Sequence, residues 1–318
     1  MSRRRATSPL RATVVAAVLA VTASAGLYFR RCARRPRWRP PAGLVVETSS
    51  LSVRVLGDVG PPILLLHGLV SSGIYWGGAY DGLADRHRLV VPDLLGFGQS
   101  PHPPSGYGPD DHIAALNACL DDLGITEPVV IGAHSLGSLI ALRLAATHPE
   151  RVAAIVAFGS PIYADARAAL AHVAGTGAMG RLFVLPGRTS EIACQWVCGH
   201  RVLAARVAVV THPDLPPEIA AAAVQHTWSS YSQTLEHVIL AAEVASWLDK
   251  IACPVTLVAG DDDPVIDHRY LRVLADANPN ITLLERPGKH DLPLTDPTDC
   301  AALIEAAHRF ADRPDRCH

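Results

Sequence analysis

The sequence predicts an α/β fold: a mostly parallel, doubly wound sheet with helices on both faces, interrupted once by a block of helices. Three observations carry this. Short unbroken apolar runs such as Ile63-Leu64-Leu65-Leu66 and Val129-Val130-Ile131 alternate with helical patterns, which is how strands buried on both faces read. The alternation lapses over residues 163–245, an Ala-rich stretch of helical character, and resumes at Pro254. The chain has 318 residues, 49% of them hydrophobic, which is enough for one substantial core.

In order along the chain, residues 31–42 form a basic, Pro-rich linker, and strand-like runs follow at 43–47 and 51–56. Pro61-Pro62 introduces the strand 63–66, which stops at His67-Gly68, and Arg88-Leu89-Val90-Val91 is the next strand. Residues 110–123 carry Ile113, Leu116 and Leu120 at helical spacing. A strand over 128–133, a helix over 136–147 and a strand over 152–158 follow, and the pattern breaks at Pro161. The helical block 163–245 is interrupted near 175–180 and at Pro213–Pro217. After it come a strand over 254–259, a helix near 266–276, the strand 281–284 and a last helix near 297–312. The expected organisation is a basic N-terminus over 1–42, a core from 43–162 and 246–318, and an inserted helical cap over 163–245.

The formal charge of −2 hides an asymmetry: ten Arg and no acid lie in residues 1–40, leaving 18 basic against 30 acidic side chains beyond. An acidic body argues against nucleic acid as a partner. Residues 12–29 contain no charge, just long enough for one crossing at about 1.5 Å per residue. Arg3, Arg4, Arg5 and Arg11 precede them, and Arg30, Arg31, Arg34, Arg35, Arg37 and Arg39 follow. A retained membrane anchor is expected, because those six arginines oppose translocation, and their excess would keep the folded domain cytoplasmic. Ala23-Ser24-Ala25 offers the alternative of export after signal cleavage near Ala25. The seven cysteines (32, 119, 194, 198, 253, 300 and 317) are odd in number and scattered, so no disulfide framework is implied. Cys194 and Cys198, one helical turn apart, lack the further ligand in recognisable spacing that a metal site needs.

The chemistry gathers at strand ends. Ser135 stands in Ala133-His134-Ser135-Leu136-Gly137, where a strand turns sharply into a helix. A serine projected from such a turn needs small residues two before and two after it, as Ala133 and Gly137 are. A serine hydroxyl is a poor nucleophile at neutral pH unless a base takes its proton and an acid orients that base. Gly260-Asp261-Asp262-Asp263-Pro264 and Gly288-Lys289-His290-Asp291 each follow a strand, so carboxylate and imidazole fall at the same sheet edge as Ser135. The backbone N–H groups of Leu136, just after the serine, and Leu69, just after His67-Gly68, are the candidates for an oxyanion hole. Ser135 as an ordinary turn residue would not come with matching segments downstream. His67 reads as a support of the oxyanion loop, His134 as a packing or hydrogen-bonding residue, and Asp93 as a tie for the loop after its strand.

These motifs, with Trp76 and the run Pro92-Asp93-Leu94-Leu95-Gly96-Phe97-Gly98-Gln99-Ser100, resemble the α/β-hydrolase superfamily over residues 44–314. The resemblance implies Ser135 as nucleophile, His290 as base and, from its place third after Gly260 and before Pro264, Asp263 as acid. Neither a metal nor an organic cofactor is implied by it. A serine departs from the carboxylate nucleophile of epoxide hydrolases and haloalkane dehalogenases. His67-Gly68-Leu69-Val70-Ser71 departs from the oxyanion loops of proline iminopeptidases, carbon–carbon bond hydrolases and His-Gly-Gly-Gly lipases. The expected activity is hydrolysis of a small-molecule carboxylic ester with an apolar acyl group. Thioesterase, acyltransferase, cofactor-free perhydrolase and silent ligand-binding members of the fold are the alternatives.

Overall fold

The computed structural model describes residue 24 and residues 26–175 and 187–311. Within these, eight strands form one sheet: β1 (Leu44–Glu47), β2 (Ser52–Leu56), β3 (Pro62–Leu66), β4 (Arg88–Pro92), β5 (Val129–His134), β6 (Val152–Phe158), β7 (Val255–Gly260) and β8 (Ile281–Arg286). Their spatial order is β1-β2-β4-β3-β5-β6-β7-β8. The β1–β2 and β2–β4 pairs are antiparallel, and every pair from β4 to β8 is parallel.

The two-sided burial expected from the apolar runs has a direct structural form. On β3, Leu64 and Leu66 enter one core cluster with Ile131 and Leu139, while Ile63 and Leu65 enter another with Val130, Val156 and Trp76. Successive strand residues point to opposite faces, so a strand covered twice must be apolar throughout. The first face is covered by α1 (Pro109–Asp122) and by α2 (Leu136–Thr147), which is buried along most of its length. Helix α11 (Pro297–Ala311) covers the other face, so closely that a Cβ on Gly132 of β5 would meet Ile304 Cδ1 at 2.6 Å.

From β3 the chain moves outward to β4, then crosses back to β5 on the opposite side of β3. The carboxyl ends of β3 and β5 are therefore neighbours at the point where strand order reverses, with Leu66 paired to Ala133. Open α/β sheets bind ligands at such a point.

Between β6 and β7 the chain carries α3 (Ala166–Gly175), α4 (Arg188–Gly199), α5 (Arg201–Thr211), α6 (Pro217–Ala222), α7 (Trp228–Thr234) and α8 (Val244–Leu248). Helix α7 runs on into a π-helical turn over Leu235–Leu240 that packs with α8 on α2. This segment ties to the loop after β4, where Gly98 N–H donates to Gln225 O at 3.0 Å and Phe97 forms a bridge with His226. The last two helices before α11 are α9 (His268–Ala277) and α10 (Leu292–Thr295).

The membrane anchor expected over residues 12–29 is corrected. Among the described residues no helix is long and apolar enough to cross a membrane, and residues 12–23 and 25 lie outside them, as does the signal-cleavage alternative's Ala25. The described helix over residues 26–33 is about two turns long and reaches into the arginine run. Within that run, Arg31 pairs with Asp214, and Arg35 donates to Pro213 O at 2.7 Å. Further on, Trp38 Nε1 donates to Ile74 O at 3.1 Å, so the linker lies against the domain.

Candidate active site

Ser135 caps α2 with φ 52° and ψ −116°. Among the described residues, only Ser135 and Val70 combine a side chain with a positive φ. Such a conformation costs on the order of 1–3 kcal/mol and persists only where its surroundings enforce it. Here β5 must become α2 within one residue, and the turn is pressed against the end of β3. A Cβ on Gly137 would lie 2.7 and 2.8 Å from the carbonyl oxygens of Leu66 and His67. Ser135 N–H donates to Phe158 O at 2.9 Å, which ties the turn to β6 as well. Leu136 is the first residue of α2, so its N–H has no acceptor within the helix.

The loop carrying Leu69 approaches the same turn. A Cβ on Gly68 would stand 3.2 Å from Ser135 Cβ and 3.0 Å from His134 Nδ1, so any larger residue would crowd both. His67, fully buried, braces the loop: its Nδ1–H donates to Gly68 O at 2.8 Å, and its Nε2 accepts from Leu94 N–H at 2.9 Å. Burial pulls its pKa down, outweighing the nearby Asp93, and keeps the ring in that neutral tautomer. Asp93 accepts from Gly73 N–H at 2.6 Å and Gln99 N–H at 2.7 Å, joining the loops after β3 and β4.

The loops after β7 and β8 cross where Gly260 passes Gly288 and Lys289; a Cβ there would be 2.7 Å from Gly288 O. Asp263, 3% exposed, accepts from Val265 N–H at 2.8 Å through Oδ1 and from His290 Nδ1–H at 2.8 Å through Oδ2. His290 Nε2 lies 3.0 Å from Ser135 Oγ and can accept its proton. Burial pulls the His290 pKa down, but its hydrogen bond and charge attraction to Asp263, helped by Asp291, outweigh that and raise it above 6.5. The neighbouring carboxylates do other things: Asp261 accepts from Gly288 N–H at 2.9 Å, and Asp262 is exposed. The structure thus brings Ser135, His290 and Asp263 into one hydrogen-bonded line, with Leu136 beside it and the Leu69 loop against it.

Two neighbours of this line escaped the sequence reading. Tyr75 stacks on His134 with ring centroids 4.6 Å apart, and its hydroxyl donates to Asp291 at 3.2 Å. Tyr75 lies 216 residues from Asp291, and no local pattern announces the pairing. Among the described residues no cluster of three His, Cys, Asp or Glu side chains could hold a metal, and Cys194 and Cys198 stand 4.0 Å apart. A separate cleft of about 660 Å³, lined by Gln99, His102, Arg201 and Gln225 among others, does not include Ser135, Asp263 or His290. Chemistry is decided by where reacting groups converge, so the hydrogen-bonded line marks the site and cleft size does not.

Residues 61–192 match the family model for the alpha/beta hydrolase fold. An uncharacterized protein of Mycobacterium tuberculosis is 30% identical over a 276-residue alignment that covers 81% of this chain and 77% of that one. The magnesium-chelatase 30 kDa subunit of Rhodobacter capsulatus is 30% identical over a 273-residue alignment that covers 82% of this chain and 89% of the subunit. Among solved structures, a thermophilic esterase from Thermogutta terrifontis is similar in fold with a TM-score of 0.61 and 18% identity, covering 85% of this chain and 100% of the esterase. Sheet order, the strained serine turn and these relatives agree: the chain belongs to the α/β-hydrolase superfamily and is a hydrolase of that fold.

Proposed function

We propose that the chain is a serine hydrolase that cleaves carboxylic esters through an acyl-enzyme, with Ser135 as nucleophile, His290 as base and Asp263 as the orienting acid. The observation that carries this is the line Asp263–His290–Ser135, at 2.8 and 3.0 Å, ending on a serine held at positive φ. His290 Nε2 takes the Ser135 proton as Oγ attacks the ester carbonyl carbon. The carbonyl oxygen becomes an oxyanion held by the Leu69 and Leu136 N–H groups, each worth roughly 3 kcal/mol of barrier. Collapse of this intermediate breaks the C–O bond to the alcohol, which leaves with the proton from His290. Water then repeats the sequence on the acyl-enzyme and releases the acid. Asp263 keeps the proton on Nδ1, so Nε2 stays free to act.

Leu69 and Val70, apolar and only partly buried on the loop that approaches the Ser135 turn, support an apolar acyl group. In this reading the helical segment 163–245 serves as a cap over the carboxyl edge of the sheet. Its ties to loops at that edge support the role, among them Tyr163 Oη donating to Val265 O at 2.7 Å. Turnover of p-nitrophenyl and p-nitrophenyl thio esters by the full chain and by Ser135→Ala, with products analysed in the presence of competing alcohols, tests the proposal. Ester hydrolysis lost in Ser135→Ala is expected. Preference for the thioester or for alcohol as acceptor would move the protein to another reaction of the same residues.

A further inference from the structure

His134 packs against His290, Tyr75 and the Gly68 backbone while taking no part in the proposed bond changes. Its Nε2 lies 3.1 Å from the carbonyl oxygen of His290. A carbonyl can only accept, so Nε2 carries the hydrogen and donates it, and Nδ1 is left as a bare acceptor. That Nδ1 is buried with no partner and faces the Cβ-free side of Gly68, at the root of the Leu69 loop. The ring stacks on Tyr75 within 11° of parallel, and its centroid is 4.8 Å from that of His290. At 4% exposure the side chain is enclosed by the protein. Asp291 completes the arrangement, accepting from Tyr75 Oη at 3.2 Å and standing 4.0 Å from His134 Nε2.

We infer that His134 is a positioning residue: one imidazole holds the Leu69 loop, the Ser135 turn and the His290 backbone in a single register, with Tyr75 and Asp291 as its supports. The inference rests on the reading of Ser135 and His290 given above. Burial first, and the nearby His290 next, keep His134 neutral, so it acts by shape and by one hydrogen bond rather than by charge. The ionisable groups facing His290 are Asp263 from the β7 loop, Asp291 beside it and His134 from β5, with Tyr75 from the turn after β3 behind them on Asp291 and His134. Of these Asp263 and Asp291 hold the His290 proton more tightly, so removing the Asp291 charge loosens it.

The test uses the full chain with His134→Leu, His134→Gln, Tyr75→Phe and Asp291→Asn. Leucine removes the donor and the stack, whereas glutamine can still donate to the His290 carbonyl. With a p-nitrophenyl ester, His134→Leu is expected to lower kcat about ten- to hundredfold, the size of effect a small misplacement of reacting groups produces. KM stays within about twofold, and His134→Gln recovers most of kcat, because binding is not what is lost. Equal rates for His134→Leu and the unaltered chain, or an equal loss in both His134 variants, would overturn the inference. Amide hydrogen exchange over residues 288–292, the loop whose His290 carbonyl His134 holds, gives a readout independent of turnover. Exchange there is expected to be faster in His134→Leu, Tyr75→Phe and Asp291→Asn than in the unaltered chain and close to its rate in His134→Gln, and exchange unchanged in all of them would overturn the clamp. An unaltered chain that cleaves no ester would instead overturn the reading of the reaction, and hydrogen exchange would still decide the clamp.

Discussion

Asp261, Asp262 and Asp263 are chemically identical neighbours whose fates differ because one strand end turns them in three directions. Asp261 holds the His290 loop through Gly288 N–H, Asp262 faces solvent, and Asp263 alone of the three is buried against His290 Nδ1. Asp263→Asn is therefore expected to leave a folded protein whose kcat falls by about four orders of magnitude, through the wrong imidazole tautomer. Asp262→Asn should stay within about twofold of the unaltered chain, as exposed substitutions usually do. A crippling Asp262→Asn would contradict the register of the loop. The pH dependence follows from the same pair. His290 must be neutral to accept the Ser135 proton, and its pKa is raised above 6.5 by Asp263 and Asp291 against the pull of burial. As pH falls through that raised value the base is lost, so kcat/KM should decline on an acid limb lying above 6.5. In Asp263→Asn burial is no longer outweighed, and the limb of the residual activity should move to lower pH. A limb that stays in place would count against the pair.

At the scale of elements, close backbone passages do the positioning. A Cβ on Gly137 would run into two carbonyl oxygens at the end of β3, which are fixed by the sheet. Gly137→Ala is expected to cost about 1–3 kcal/mol or more in urea unfolding, as overpacking at a rigid site does. Gly199, at the end of α4, has nothing within 4 Å of a built Cβ. Gly199→Ala should be neutral or stabilising by up to about 1 kcal/mol, from helix propensity alone. Equal costs at the two sites would refute the steric account. These elements were largely legible in advance. The expected helix 136–147 and strand 152–158 coincide with α2 and β6, because period, apolar run and flanking residues all act locally. Strand β8 continues past the expected 284 to Arg286, where charged residues at a half-exposed edge mask the strand pattern. The π-helical turn Leu235–Leu240 had no signal in the sequence, since nothing in residue spacing separates it from an α-helix. In the site, Ser135, His290 and an acid within 261–263 were legible from strand ends. Tyr75 and Asp291 were not, because their contacts join segments far apart in the chain.

Across the whole molecule, the N-terminal segment is stitched to the domain by interactions of unequal weight. Trp38 is half-buried and donates to Ile74 O, while Arg39 Nη2 donates to Gly78 O at 2.9 Å and Ala42 N–H to Asp81 at 2.9 Å. The Arg31–Asp214 pair has side chains 45% and 53% exposed, so solvent screens it. Trp38→Ala is expected to destabilise the protein by about 1–3 kcal/mol through lost apolar burial and a lost hydrogen bond. Arg31→Ala should cost less than about 1 kcal/mol, as exposed ion pairs do. Chemical unfolding of the two variants compares them, and a larger loss for Arg31→Ala would contradict this ranking. The Trp38 contact lands on Ile74, next to Tyr75, so this N-terminal contact and the His134 surroundings share one turn of chain, Gly73–Trp76.

The central claim is that Ser135 is a nucleophile activated by His290. Incubation of the full chain with a fluorophosphonate, followed by mass mapping of the peptide that contains residue 135, tests it most directly. The account predicts one stoichiometric adduct on Ser135, formed at least about a hundredfold more slowly in His290→Ala, where the general base is missing. A folded, ester-cleaving protein whose adduct lies elsewhere, or whose Ser135 reacts as fast without His290, would contradict it.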